Sequence, residues 1–259
     1  MMLSKIRPSI VLFGDSITQQ GFSYNSSSPG WAGLLANAYT RRADVLNRGY
    51  SGYNTRHAID ILPSVFGPEG DSAVGRPLFI TVFFGANDAQ LPGEREHSQH
   101  VPIDEYEDNL RKIVQAISGR FQQVPKPPII LLTPPPVDKT AWEITCLEKF
   151  EEPVKSALLD RTNENSKLYG DRVKSVAKEL GCSVVDSHTL LFGYAAEETY
   201  GKNLDDGLHL NGSGNKLLFD GVIDIIKRDF PHLAPMEDGD GKYGQTGVPV
   251  EAALWKELC

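Results

Sequence analysis

Cysteine is scarce in this 259-residue chain: Cys146, Cys182 and Cys259 are the only three. They are odd in number, widely separated and outside any metal-ligand spacing, which argues against a disulfide framework and for reduced thiols in a cytoplasmic setting. Long apolar runs are missing as well. The longest, such as IVLF at 10–13 and PIILL at 128–132, fall far short of the ~18 residues that a membrane span requires. Positive charge is in deficit, with 26 basic against 34 acidic residues, a formal charge of -8. No basic run exceeds three residues, so nothing is arranged to track a phosphodiester backbone and nucleic acid is not an expected partner. Neither a repeat with a period of 20 to 50 residues nor a low-complexity segment is present. The opening MMLSKIRPSIVLFGDS carries some positive charge, but its apolar stretch is too short for a signal core and runs into the first strand pattern, so it is read as mature protein.

What is present is a 40% hydrophobic chain long enough to bury a full core as one domain. Short aliphatic runs, at Ser9 to Phe13, Ala43 to Asn47, Leu78 to Phe84, Ile129 to Thr133 and Ser183 to Asp186, alternate with longer helical patterns. One helix is expected around Trp31 to Arg41. IDEYEDNLRKIVQAIS carries Tyr106, Leu110, Val114 and Ile117 on one stripe, and KLYGDRVKSVAKELG carries Leu168, Val173, Val176 and Leu180 before Gly181 stops it. GNKLLFDGVIDIIKRDF is the last clear helix, closed by Pro231. The alternation predicts a parallel sheet in a three-layer αβα sandwich over residues 1–232, and such a sheet puts its ligand crevice at the carboxyl ends of its strands. Residues 233–259 read differently. The polar, glycine-rich EDGDGKYGQTG is followed by VPVEAALWKEL, whose apolar residues are expected to dock in cis or against a second copy in a homodimer.

The chemically suggestive segments all follow strands. Ser16 comes just after the first, RGYSGYNTR after the second, GANDA after the third, TPPPVD after the fourth, and LDDGLHLNGSG, at longer range, after the fifth. A serine hydroxyl needs an imidazole to take its proton, and the imidazole needs an acid to hold its tautomer. Asp206 and His209 stand three apart in DGLH, one turn of backbone. Asp205 is the alternative acid, less favoured because it would point away. A tetrahedral intermediate further needs donors for its oxyanion, and the Ser16 N–H, the Gly52 N–H and the Asn87 amide are the candidates. Trp31, Pro134, Pro135 and Trp142 are the expected pocket walls. Each residue alone has a blander reading: Ser16 as a helix N-cap, Gly52 as a turn glycine, Asn87 as an Asx-turn residue. His97 and His100, set among acids in GEREHSQHVPIDEYED, read as a solvated face and no metal site is expected.

Taken together, GDSIT, SGYNT, GAND and DGLH resemble, in order, the four blocks of the SGNH or GDSL hydrolase family. IVLFGDSITQ, NRGYSGYNTR, FFGANDA, TPPPVD and DGLHLN are similar to its isoamyl acetate-hydrolysing esterases, over about residues 8 to 232. The resemblance implies a flavodoxin-like sheet of order 2-1-3-4-5. It also implies hydrolysis of a small-molecule ester through an acyl-serine, with no cofactor and no metal. GDSI in place of GDSL is a conservative departure. Lysophospholipids, thioesters and acetylated sugars remain alternative substrates. Other classes fit less well. An aspartyl-phosphate phosphatase needs an acid where Ile17 stands, a dinucleotide fold needs glycines that GDSITQ lacks, and an α/β-hydrolase elbow needs glycine where Thr18 stands.

Overall fold

A computed structural model describes residues 7–25, 28–67, 77–93, 98–121, 125–192 and 200–235. Its centre is a five-stranded parallel sheet: β1 (Ser9–Gly14), β2 (Asp44–Gly49), β3 (Pro77–Phe83), β4 (Ile129–Leu132) and β5 (Ser183–Val185). The spatial order is β2-β1-β3-β4-β5, the expected 2-1-3-4-5. A short antiparallel ribbon pairs Ser23–Asn25 with Ser28–Pro29 beside it.

β1 is buried along its whole length, as a central strand covered on both faces must be, and this is why it reads as an unbroken apolar run. Successive side chains alternate between the two faces. Ile10 and Leu12 join Phe79, Phe83, Ile130 and Leu132 in one core, covered by α2 (Trp31–Ala38) and α8 (Gly212–Asp229) through Leu35, Leu218, Val222 and Ile226. Val11 and Phe13 join Ile80, Val82 and Leu131 in the other. That face is covered by α3 (Thr55–Phe66), α4 (Ile103–Gly119) and α7 (Asn163–Leu180). The result is the three-layer sandwich.

Three local expectations are corrected. α2 stops at Ala38 rather than Arg41, because Arg41 takes a left-handed φ of 63° that no right-handed helix can contain. On α7 the buried stripe runs through Tyr169, Val173, Val176 and Ala177, while Leu168 is 54% exposed. Its spacing of five from Val173 carries it off the stripe that Tyr169, at four, occupies. Finally, the fold continues past residue 232: Leu233 and Ala234 pack on the core, and the Tyr39 hydroxyl donates to the Leu233 carbonyl at 2.7 Å. Residues 236–259, on which the docking and homodimer expectations rest, lie outside the described residues. Among the described residues no helix is long and apolar enough to cross a membrane.

Candidate active site

β1 ends at Gly14, and Asp15 caps the short helix α1 (Ser16–Gln19) by accepting the Ile17 N–H at 3.0 Å. Ser16 is therefore the first residue of a helix at the carboxyl edge of the sheet. The neighbouring strand holds α1 in place: the Asn47 amide donates to the Thr18 carbonyl at 2.7 Å, and its oxygen accepts the Gly49 N–H at 2.9 Å. Asp15 is fully buried. Burial pushes its carboxyl up to about 7, against the opposing pull of the Ile17 N–H and the nearby His209 and Arg161.

DGLH lies 190 residues further along the chain yet meets Ser16 directly. Asp206 Oδ1 accepts the backbone N–H groups of Leu208 and His209 at 3.0 and 2.8 Å, closing a tight Asx turn. Gly207 permits that turn, having a φ of 90° and no side chain where a Cβ would stand 2.3 Å from the Trp142 nitrogen. The turn leaves Asp206 Oδ2 2.8 Å from His209 Nδ1, and His209 Nε2 2.9 Å from Ser16 Oγ. Because a carboxylate can only accept, the ring proton belongs on Nδ1 and Nε2 is left to accept from the serine hydroxyl. Burial would raise Asp206, but the His209 ring and the two backbone N–H groups outweigh it and hold the carboxyl at about 2. Asp205 is exposed, and it is the Asp206 carboxylate that meets the ring.

The oxyanion candidates converge on the same serine edge. Gly52, after β2, has a φ of 79°, and neither its N–H nor that of Ser16 has a hydrogen-bond partner among the described residues. Asn87, after β3, is buried. Its amide donates to the Tyr53 carbonyl at 2.8 Å, its second N–H has no partner among the described residues, and its oxygen accepts from Arg161 at 3.2 Å. Asp88 ties this loop to the start of α3 by accepting the Thr55 N–H at 2.9 Å and the Thr55 hydroxyl at 2.5 Å. Its carboxyl, driven by burial, rises to about 6.

A cleft of about 430 Å³ opens on this edge, with Gln20, Ser51, Trp142, Thr145 and Phe150 in its walls beside Asp206 and His209. Trp142, on α5 (Lys139–Lys149), packs against His209 in an edge-type arrangement with ring centroids 6.2 Å apart, and anchors its indole N–H on the Leu158 carbonyl at 2.7 Å. The other expected wall residues are elsewhere. Trp31 is fully buried beneath α1, donating its indole N–H to the Ile17 carbonyl at 3.3 Å and its backbone N–H to Asn215 at 2.9 Å. Pro134 and Pro135 are buried too: Pro134 packs near Gly85, and the Pro135 carbonyl accepts from Ser166. None of these three borders the cleft. His97 lies outside the described residues, and among those described no group of His, Cys, Asp or Glu is arranged to hold a metal ion.

Two residues that sequence reasoning missed join the site. Arg161, between α6 (Val154–Leu158) and α7, is buried under Trp142, its guanidinium 5.8 Å from the ring centre. Gln99 donates to the Gly52 carbonyl at 2.8 Å and accepts from Arg161 at 2.6 Å. A polar residue beside His100 and an arginine in a loop carry no spacing signal that would mark them.

In this arrangement, a hydroxyl, imidazole and carboxylate in one hydrogen-bonded line beside N–H donors without a partner among the described residues, the imidazole can take the hydroxyl proton. The profile of the GDSL-like lipase/acylhydrolase family matches residues 12–217. A GDSL esterase/lipase of Arabidopsis thaliana is 41% identical over 252 residues, 92% of this chain and 96% of its own. The isoamyl acetate-hydrolyzing esterase 1 homolog of Mus musculus is 41% identical over 233 residues, 88% of this chain and 86% of its own. Among solved structures, a lipase/acylhydrolase from Enterococcus faecalis superposes with a TM-score of 0.62 at 24% identity, covering 89% of this chain and all of that one. The chain belongs to the GDSL-like lipase/acylhydrolase family. It is a carboxylic ester hydrolase.

Proposed function

We propose that the chain hydrolyses short-chain carboxylic esters, acetate esters of small alcohols among them, through an acyl-serine intermediate on Ser16. The observation that carries the reading is the unbroken line from Asp206 through His209 to Ser16, with contacts of 2.8 and 2.9 Å. His209 Nε2 takes the hydroxyl proton as Ser16 Oγ attacks the ester carbonyl. Asp206 holds the ring and balances the imidazolium charge that forms. The carbonyl oxygen, now an anion, takes the N–H groups of Ser16 and Gly52 and the spare amide hydrogen of Asn87. When the intermediate collapses, the C–O bond to the alcohol breaks and His209 returns the proton to the departing oxygen. Water, deprotonated in turn by His209, then attacks the acyl-serine, and the acid leaves as Ser16 regains its proton.

Support for a short acyl chain comes from the cleft, which at about 430 Å³ is near the lower end of the ~300–1,000 Å³ range of small-molecule pockets. The name of the mouse relative points to acetate esters. The buried Cys146 and the free Cys182 fit a reducing, cytoplasmic compartment. A panel of p-nitrophenyl esters from acetate to palmitate, run with isoamyl acetate, tests the reading. Highest kcat/KM at two to six carbons supports it, and a maximum at long acyl chains overturns the short-chain assignment.

A further inference from the structure

Arg161 is 3% exposed, and no carboxylate lies within ion-pair distance of it among the described residues. Asp160, Asp15 and Asp88 act on it only at longer range, against the penalty of burial. A buried cation is costly unless its environment compensates it or uses its charge. Among the described residues, every hydrogen bond of the guanidinium goes to a neutral oxygen: the Ala86 carbonyl, Asn87 Oδ1 at 3.2 Å and Gln99 Oε1 at 2.6 Å. Its Nε has no partner.

Those acceptors lead to the two candidate donors that follow β2 and β3: Ala86 adjoins Asn87, Asn87 is one of them, and Gln99 bonds the carbonyl of Gly52, the other. Asn87 Oδ1 faces a group that can only donate, and Nδ2 faces the Tyr53 carbonyl, which can only accept. The amide therefore has one allowed orientation, which leaves a second Nδ2–H without a partner among the described residues. Donation from a cation also polarises the amide and strengthens that remaining donor. On the second arm, Gln99 takes the guanidinium on its oxygen and passes a hydrogen bond from its nitrogen to the Gly52 carbonyl at 2.8 Å. Gly52 sits at a φ of 79° and is, as a glycine, the residue with most freedom to turn its N–H away. Gln99 is itself fixed, its carbonyl accepting from the Asn54 amide at 2.9 Å and its N–H donating to Gln90.

We propose that Arg161 is the positioning residue of the oxyanion hole, aiming Asn87 directly and Gly52 through Gln99, and adding its own positive field where the anion forms. This rests on the reading of Ser16, Gly52 and Asn87 as the oxyanion donors. Because the hole is occupied by charge only in the transition state, its loss lowers kcat and leaves ground-state binding nearly untouched. A brace of the loop alone would instead lower thermal stability and change kcat and KM together.

The test compares R161M, R161K, Q99M and N87A with the parent for kcat, KM, melting temperature and Ki of an alkyl trifluoromethyl ketone, whose hemiketal adduct with the serine hydroxyl puts an anionic oxygen in the hole. R161M is expected to lower kcat on the order of 10- to 100-fold, the usual result of misplacing a catalytic group, with KM nearly unchanged and Ki raised by the same factor as kcat falls. Q99M, cutting only the Gly52 arm, is expected to cost about 3- to 10-fold, the worth of one neutral hydrogen bond. R161K, which retains the charge but not the fork, is expected to lie between the parent and R161M. In the N87A background the effect of R161M should shrink, since one arm then has nothing to hold. If R161M fails to fold, R161K and Q99M carry the test alone. Folded Arg161 and Gln99 variants with parental kcat and Ki, while N87A is impaired, overturn the role of Arg161 and leave the oxyanion reading standing. An N87A with parental kcat overturns both.

Discussion

In Asp206 the two carboxylate oxygens do different work, and the D206N substitution separates them. Oδ1 is fully committed, accepting the N–H groups of Leu208 and His209 at 3.0 and 2.8 Å. An asparagine must keep its oxygen there, because turning its NH2 group toward two donors would break the Asx turn. The NH2 then replaces Oδ2, 2.8 Å from His209 Nδ1, and donates to it. The ring is forced into the tautomer with its proton on Nε2, so the nitrogen 2.9 Å from Ser16 Oγ becomes a donor and cannot accept the hydroxyl proton. With the base disabled and the site otherwise intact, kcat/KM should fall ~10⁴-fold at neutral pH, about 5 kcal/mol of transition-state stabilisation. Hydrolysis of p-nitrophenyl acetate across pH 5 to 9, with circular dichroism to confirm the fold, measures it. A folded D206N within about tenfold of the parent, some 1.4 kcal/mol, refutes this account of the acid. The depressed Asp206 carboxyl also has a stability sign. Held at about 2, below an unfolded value of about 3.9, it contributes fully above about pH 4 and the contribution is lost as pH falls toward 2. D206N should flatten that part of the stability curve.

N87A, which removes one of the proposed oxyanion donors, should lower kcat by roughly 10²- to 10³-fold with little change in KM, measured by steady-state kinetics on the same ester. Asp15 predicts the opposite pH trend from Asp206. With its carboxyl raised to about 7 by burial, the folded chain holds a proton that the unfolded chain releases near pH 4, so its contribution is fully present below about pH 4 and is lost as pH rises toward 7. D15N retains an acceptor for the Ile17 N–H and removes the titration, so the difference in melting temperature between variant and parent should shift in favour of the variant from pH 4 to 7; parallel curves would contradict the burial argument.

The sheet was readable because buried parallel strands show as aliphatic runs, and edges differed by only a residue or two. The ladder runs on to pair Gly14 with Gly49, glycines that carry no strand propensity. The convergence of Ser16, Gly52, Asn87 and the DGLH segment at one sheet edge was readable for the same topological reason, since each follows a strand. Trp31 was misread because its partners are remote: Asn215, 184 positions away, receives its N–H, and no local pattern announces that an indole beside a serine block faces the core. Trp142 differs only in pointing from α5 toward His209. Arg161 was illegible for a further reason. Burial of an arginine depends on oxygens supplied by 86, 87 and 99, three positions with no periodic relation to 161. Gln99 lies in a stretch whose charge made it look solvated, although its amide reaches the Gly52 carbonyl.

An acyl group carried on Ser16 can be caught by trapping the nucleophile. The chain is incubated with a fluorophosphonate, and intact-mass and peptide mass spectrometry then count and locate the adduct. One adduct per chain is expected on Ser16, formed in step with loss of esterase activity, with neither adduct nor turnover in a folded S16A. An adduct on another residue that abolishes activity, or an S16A that still hydrolyses the ester at the parental rate, would contradict it.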